Sequence, residues 1–432
     1  MTLALLGFAT VLLFIFLIMT KRMSAAAALI AVPIVGGLLA GAGPGLGDMM
    51  LKGIVDVAPI ATMLAFAVLY FAVMMDSGLF DPLVNRILAI VGDDPIRIAI
   101  GTMALSSLVS LDGDGTTTAL IVITSMLPLY RAIGMNPLIL AMLLGSSNAI
   151  MNLLPWGGPS ARAAAAVKAD LVHDVFLPLV PAMLIALAAL AALAWWFGTR
   201  ERARLGWQAG AGARPAPPIA TDRPERRPRL FWFNLLLTAG LMAGMVTGIA
   251  PLPVLIMGAL AVALTVNYPK LSDQRDRIAA HADNVVMVVV LIFAAGAFTG
   301  IMGGTGMTDA MARAMLAGVP DTLGPYLAPI TALLALPLTF VMSNDAYYFG
   351  VVPVLAQAGG AYGIPAEAIA RASLMGGPVH SLSPLLAPVY LACGLLGVDV
   401  ADAQRFALKY AVGISLVMTL AAIITGAIPL AT

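Results

Sequence analysis

The chain has 432 residues, 61% hydrophobic and only 10% charged, with mean hydropathy +0.99 and formal net charge +1. So little polar surface cannot keep a chain this long in water, so its class is all-α polytopic membrane protein. The small net charge gives no basis for a nucleic-acid partner, and Cys393, the single cysteine, excludes an intrachain disulfide and a cysteine-based metal site.

The first apolar run, Thr2 to Met19, is followed by Lys21 and Arg22 and has no basic residue before it, so it reads as a retained span and not a cleaved signal. Runs of about 18–20 apolar residues are long enough to cross hydrocarbon as helices. Full-length candidates fall at 2–20, 24–41, 54–75, 171–197, 231–249, 252–268, 284–303 and 403–428. Residues 97–168 and 323–400 break this pattern, with shorter apolar pieces interrupted by Gly, Pro and polar clusters. Unpaired backbone cannot face lipid, so such breaks belong inside protein or beside a wet cavity. Each region is predicted to be a re-entrant hairpin followed by a helix broken in its middle. Residues 198–230, with eight arginines and five prolines, are predicted to be a flexible cytoplasmic linker.

That linker divides two similar halves, 1–197 and 231–432. Ser77-Gly78-Leu79-Phe80-Asp81 resembles Thr305-Gly306-Met307-Thr308-Asp309, 228 residues on. Asp114 matches Asp345, and Leu144-Gly145 matches Met375-Gly376, both at 231. Near-constant offsets point to an internal repeat. With five spans plus one hairpin per half, the odd number inverts the second half. Placing 198–230 inside puts 18 of the 23 basic residues in the cytoplasm. Scaffold spans then lie in 1–75. Inverted repeats with broken helices near the midplane belong to secondary transporters, which bind cargo between the breaks.

Two polar stretches sit inside this apolar frame. One is Ser110-Leu111-Asp112-Gly113-Asp114-Gly115-Thr116-Thr117-Thr118, the other Ser343-Asn344-Asp345-Ala346-Tyr347-Tyr348-Phe349. Ionisable residues at bilayer depth are costly and mark function. Asp112, Asp114 and Asp345 offer oxygen ligands for a hard cation or a proton. Ordinary helix capping also uses Asp and Thr, but capping does not require these residues between two apolar half-helices. The breaks, Gly145-Ser146-Ser147-Asn148 with Asn152-Leu153-Leu154-Pro155-Trp156-Gly157-Gly158-Pro159, and Gly376-Gly377-Pro378-Val379-His380-Ser381-Leu382-Ser383-Pro384, free backbone groups for coordination. Candidate anion ligands are Thr116, Thr117, Ser147, Asn148, Asn152, Ser343, Asn344, His380, Ser381 and Ser383. His380 is also a candidate proton carrier, since histidine titrates near neutral pH. The tyrosines after Asp345 read as packing. Neither tip contains Lys or Arg, although Arg162 and Arg371 follow the tip regions. A free polyanion would meet like charges there. A cargo that brings its own divalent cation, or prior neutralisation of the aspartates by Na⁺ or H⁺, relieves this.

These motifs, together with Met19-Thr20-Lys21-Arg22-Met23-Ser24-Ala25 closing the first span, resemble the citrate–divalent metal:proton symporter family (CitMHS) of the ion transporter superfamily, over nearly the whole chain. The resemblance implies uptake of citrate, or a similar tricarboxylate, complexed with Mg²⁺ or Ca²⁺ and coupled to protons, with no permanently bound cofactor. It also implies a dimer in the bacterial cytoplasmic membrane, working by an elevator in which a hairpin-bearing domain slides past a fixed scaffold. Alternatives are a cation/proton antiporter, a symporter for another di- or tricarboxylate, and an intramembrane aspartyl protease. The protease would need paired aspartates but not the doubled hairpins.

Overall fold

The computed structural model describes residues 2–113, 115–207, 224–316 and 322–432; Asp114 lies outside them. The described residues are helical, with no strand among them. The first half comprises α1 (Thr2–Met19), α2 (Ala25–Leu39), α3 (Leu46–Asp76), α4 (Asp81–Val91), α5 (Pro95–Val109), α6 (Gly115–Ile133), α7 (Pro137–Met151), α8 (Gly158–Val167) and α9 (Leu177–Leu205). The second comprises α10 (Phe231–Thr247), α11 (Leu252–Asn267), α12 (Leu271–Ala280), α13 (Ala282–Gly304), α14 (Met307–Leu316), α15 (Leu327–Val341), α16 (Val352–Gly360), α17 (Ala366–Ser373), α18 (Gly377–His380), α19 (Ala387–Leu396) and α20 (Val400–Ile424). Among the described residues, six helical segments are long and apolar enough to cross a membrane, and α1, α2, α5, α7 and α11 hold shorter apolar helices.

The helices start where short polar side chains supply caps. Asp94 accepts from the amide of Ile96 and Asn136 from that of Leu138, each followed by a proline whose missing N–H costs nothing at a first turn. Asp399 caps α20 in the same way.

All eight predicted spans are helical. The two interrupted regions form paired arms, α5 with α6 and α15 with α16, followed by α7 with α8 and α17–α18 with α19. The helix breaks fall at 152–157 and 381–386, on the predicted Pro and Gly clusters.

The predicted linker needs correction at both described ends. Helix α9 runs on to Leu205, because Ala, Arg and Glu remain good helix formers after the apolar run ends. There Arg202 holds Asp94 through two hydrogen bonds of 3.0 and 2.7 Å, and buried Glu201 accepts from Arg204 and from the amide of Asn136. At the other end Arg226 pairs with Asp81 at 2.8 Å, and Arg227 donates to the carbonyls of Ser77 and Asn267. Short helices α4, α12 and α14, absent from the sequence reading, bridge between spans.

The tightest crossing joins the halves. Gly53 of α3 lies against Gly296 and Gly300 of α13, and a Cβ on Gly53 would stand 2.0 Å from the Gly296 carbonyl oxygen. A Cβ on Gly300 would stand 2.3 Å from that of Met49. Small residues four apart let helix backbones meet in this way. A void of about 220 Å³ lies elsewhere, between Val11 of α1, Phe298 of α13, Lys168 after α8 and Pro353 of α16.

Candidate functional site

Both hairpin tips and both helix breaks converge on one cavity of about 270 Å³. The first tip contributes Gly113, Gly115 and Thr118, and the second Asn344. The first broken helix contributes Asn148, Asn152, Gly158 and Arg162, and the second Gly377, His380 and Ser381. Ligand pockets span roughly 300–1,000 Å³, so this space suits a small cargo.

The first tip is built by a left-handed residue and a latch. After α5 the chain makes a tight turn over Ser110–Asp112, and Gly113 takes φ 79°, a conformation cheap only for glycine. Trp156, in the first break, donates from Nε1 to the Leu111 carbonyl at 2.7 Å. Its ring stacks on Phe71 of α3, centroids 4.3 Å apart. Asn148 reaches the same tip, donating to Ser110 Oγ at 3.1 Å, and itself accepts from Asn152 at 2.9 Å. Gly157 lets the break fold back, since a Cβ there would sit 1.9 Å from the Asn152 carbonyl oxygen.

The second tip turns at Met342, whose backbone is extended, and Ser343 caps the next turn by accepting from the amide of Ala346 at 3.2 Å. Tyr347 and Tyr348 are buried and packed edge to face, as the reading of them as packing groups expects. Asp345 accepts from Nε of Arg162 at 2.7 Å, an ion pair between the second tip and α8 of the first half. Of the two arginines that follow the tip regions in sequence, Arg162 thus reaches the site, although the sequence reading did not count it among the candidate ligands. Its signal was position: it follows the break by one helical turn, and a Cβ on Gly158 would meet its Nη1 at 2.7 Å, so glycine clears its path. Arg371 does not reach the cavity; it donates to the carbonyls of Asp174 and Ala427.

His380 is oriented by its backbone contact. Nδ1 lies 2.5 Å from the Thr339 carbonyl, which only accepts, so Nδ1 carries the proton. In the neutral ring Nε2 is then a bare lone pair, and no group among the described residues partners it. Asn344 Oδ1 is likewise buried without a partner among the described residues. The two broken helices touch beside these groups, where a Cβ on Gly145 would stand 3.1 Å from Ser381 Oγ.

Not every predicted ligand offers a donor to the cavity. Ser147 donates to the Met103 carbonyl, Ser381 to that of Pro378 and Ser383 to that of Phe340. Ser381 thereby satisfies a carbonyl beside the second break, Ser383 one at the end of α15, and Ser147 ties α7 to a carbonyl inside α5. Thr116 and Thr117 lie in the first turn of α6, already engaged. Asp112 closes the turn before Gly113, and Asp114 is outside the described residues. Among the described residues no three His, Cys, Asp or Glu side chains converge on a point fit for a metal. The cavity's remaining wall, Pro388, Val389 and Cys393 of α19 with Gln404 of α20, was not foreseen.

Comparison with known proteins agrees with this architecture. A crystal structure of the YdaH transporter of Alcanivorax borkumensis superposes with a TM-score of 0.65 at 16% identity, covering 98% of this chain and 100% of that one. The MtrF efflux pump of Neisseria gonorrhoeae gives 0.58 at 15% identity, covering 89% and 83%. At such identities the likeness concerns the fold alone. In sequence, the chain is 52% identical over 426 residues to a Bacillus subtilis (strain 168) protein named citrate transporter, covering 99% of both. It is 47% identical over 430 residues, again 99% of both, to that organism's Mg(2+)/citrate complex secondary transporter. The family model described as citrate transporter matches residues 4–376. By full-length relatives and by family model alike, this chain is a transporter, not an enzyme, and belongs to the citrate transporter (CitMHS) family.

Proposed function

We propose that the protein is a secondary transporter that imports citrate complexed with a divalent cation, Mg²⁺ or Ca²⁺, in symport with protons. The observation that carries this reading is the meeting of four chain breaks, two from each half, on one small cavity that holds a guanidinium, amides and bare acceptors. The metal travels as part of the cargo and cancels two of citrate's three charges. A complex of this kind tolerates the acidic first tip better than the free trianion does.

In this reading the two halves are inverted repeats of five spans and a hairpin. The hairpins and broken helices form the moving domain of an elevator within a homodimer, in a bacterial cytoplasmic membrane with 198–230 inside. Arg162, Asn148, Asn152 and Asn344 hold the citrate carboxylates. The backbone-bonded hydroxyls of Ser147, Ser343, Ser381 and Ser383 fix the broken helices and the second tip in place, and Thr116 and Thr117 orient the first tip. Asp112 and Asp114 are assigned to the metal or to the coupled proton. His380 Nε2 takes the citrate hydroxyl hydrogen or a coupled proton. A metal-binding role for Asp345 competes with its ion pair to Arg162.

Uptake of labelled citrate into proteoliposomes tests the reading. Accumulation should need Mg²⁺ or Ca²⁺ and an inward proton gradient. Uptake indifferent to a chelator would sink the metal-complex part, and cation-driven proton flux without any organic anion would indicate an antiporter instead.

A further inference from the structure

Among the described residues lining the cavity, Arg162 carries the one formal charge. Its Nε is taken by Asp345, and no other side chain or carbonyl among the described residues holds the guanidinium. The Nη edge lies over Gly158. Both side chains of the pair are about 15% exposed, so each is shielded from solvent but not sealed. Arg has a rigid fork that serves two anions at once, one on each edge.

We infer that the Arg162–Asp345 pair sets the charge selectivity of the site. Arg162 presents Nη donors to a cargo carboxylate, and Asp345 positions the guanidinium while cancelling its charge. The pair then has no net charge to offer a free polycarboxylate. A complex whose metal has already removed most of the negative charge needs only the hydrogen-bonding edge. The ion pair thereby makes the site prefer metal-bound over metal-free carboxylate. The inference rests on the anion-transport reading above and adds the determinant of its specificity.

Titration calorimetry on the purified protein, with citrate plus excess Mg²⁺ and with citrate plus EDTA, tests it. Wild-type protein reports on the parent reading: binding equal in both solutions would remove metal dependence itself. Asp345→Asn keeps the shape and leaves Arg162 uncompensated. The preference for Mg²⁺–citrate over free citrate should fall on the order of 10-fold, through stronger binding of free citrate. Asp345→Glu keeps the charge and should keep the wild-type ratio. An Asp345→Asn ratio equal to wild type, or Asp345→Glu behaving like Asp345→Asn, overturns the inference. Should Asp345→Asn fail to fold, Arg162→Lys carries the test. A lysine cannot hold Asp345 and a carboxylate in one plane, so Mg²⁺–citrate affinity should fall on the order of 10-fold. Unchanged affinity in that variant would overturn the assignment of Arg162.

Discussion

Replacing Trp156 by phenylalanine removes one hydrogen bond from the first tip and little else. The indole is 4% exposed, stacks on Phe71 at 4.3 Å and donates to the Leu111 carbonyl at 2.7 Å. Phenylalanine keeps an aromatic face for the stack and loses the donor. Leaving a part-buried carbonyl without its partner costs about 1–3 kcal/mol. At about 1.4 kcal/mol per factor of ten, the equilibrium between docked and undocked tip shifts roughly 5- to 150-fold. The bond lies between a tip and a break, so the cost should appear in cargo binding before it appears in global stability. Affinity falls only by the share of molecules that lose the docked tip, so up to that factor is expected. Calorimetry with Mg²⁺–citrate beside a melting curve in detergent measures both quantities. If Trp156→Phe binds as wild type while Trp156→Leu does not, ring packing alone orders the tip and the latch argument is wrong.

Two further outcomes follow from the geometry. Gly300→Ala pushes a methyl toward the Met49 carbonyl and should cost about 1–3 kcal/mol, whereas Gly303→Ala on the same helix meets nothing within 4 Å and should gain up to about 1 kcal/mol of helix propensity. Equal melting temperatures for the two variants would contradict the close crossing. His380→Asn retains an N–H for the Thr339 carbonyl and deletes the unpartnered Nε2 of this cavity-lining residue, so citrate affinity should drop on the order of 10-fold with an unchanged melt. Wild-type affinity would remove His380 from the cargo site.

What could be read from the chain was punctuation. Asn152 to Pro159 and Ser381 to Pro384 stop helices for local reasons, because proline lacks a donor and glycine bends freely, so both breaks were legible. The tips were legible for a related reason: Asp112 and Asp345 stand out against apolar surroundings. Pairing across the halves was not. Arg162 and Asp345 are separated by 183 residues, and only the packed molecule brings them within 2.7 Å. Hydroxyls misled because Ser and Thr are polar by composition yet satisfy nearby carbonyls, as Ser381 and Ser383 do. Walls were missed where they are apolar, since Val389 looks like any lipid-facing residue. The edge at 197 marked where the apolar run stops and not where the helix does, so α9 outran it.

The bare-backbone contact between α3 and α13 also restricts which parts of the molecule can shift. A register shift of one residue, about 1.5 Å of rise with about 100° of turn, would bring Thr299 or Ile301, each bearing a Cβ, to the place where a Cβ on Gly300 would stand 2.3 Å from the Met49 carbonyl oxygen. That joint is keyed, like a shaft in a slot, and must travel as a single piece. In the proposed elevator, gliding would then fall to another seam, and the void among α1, α13, α8 and α16 is where the packing leaves room for it.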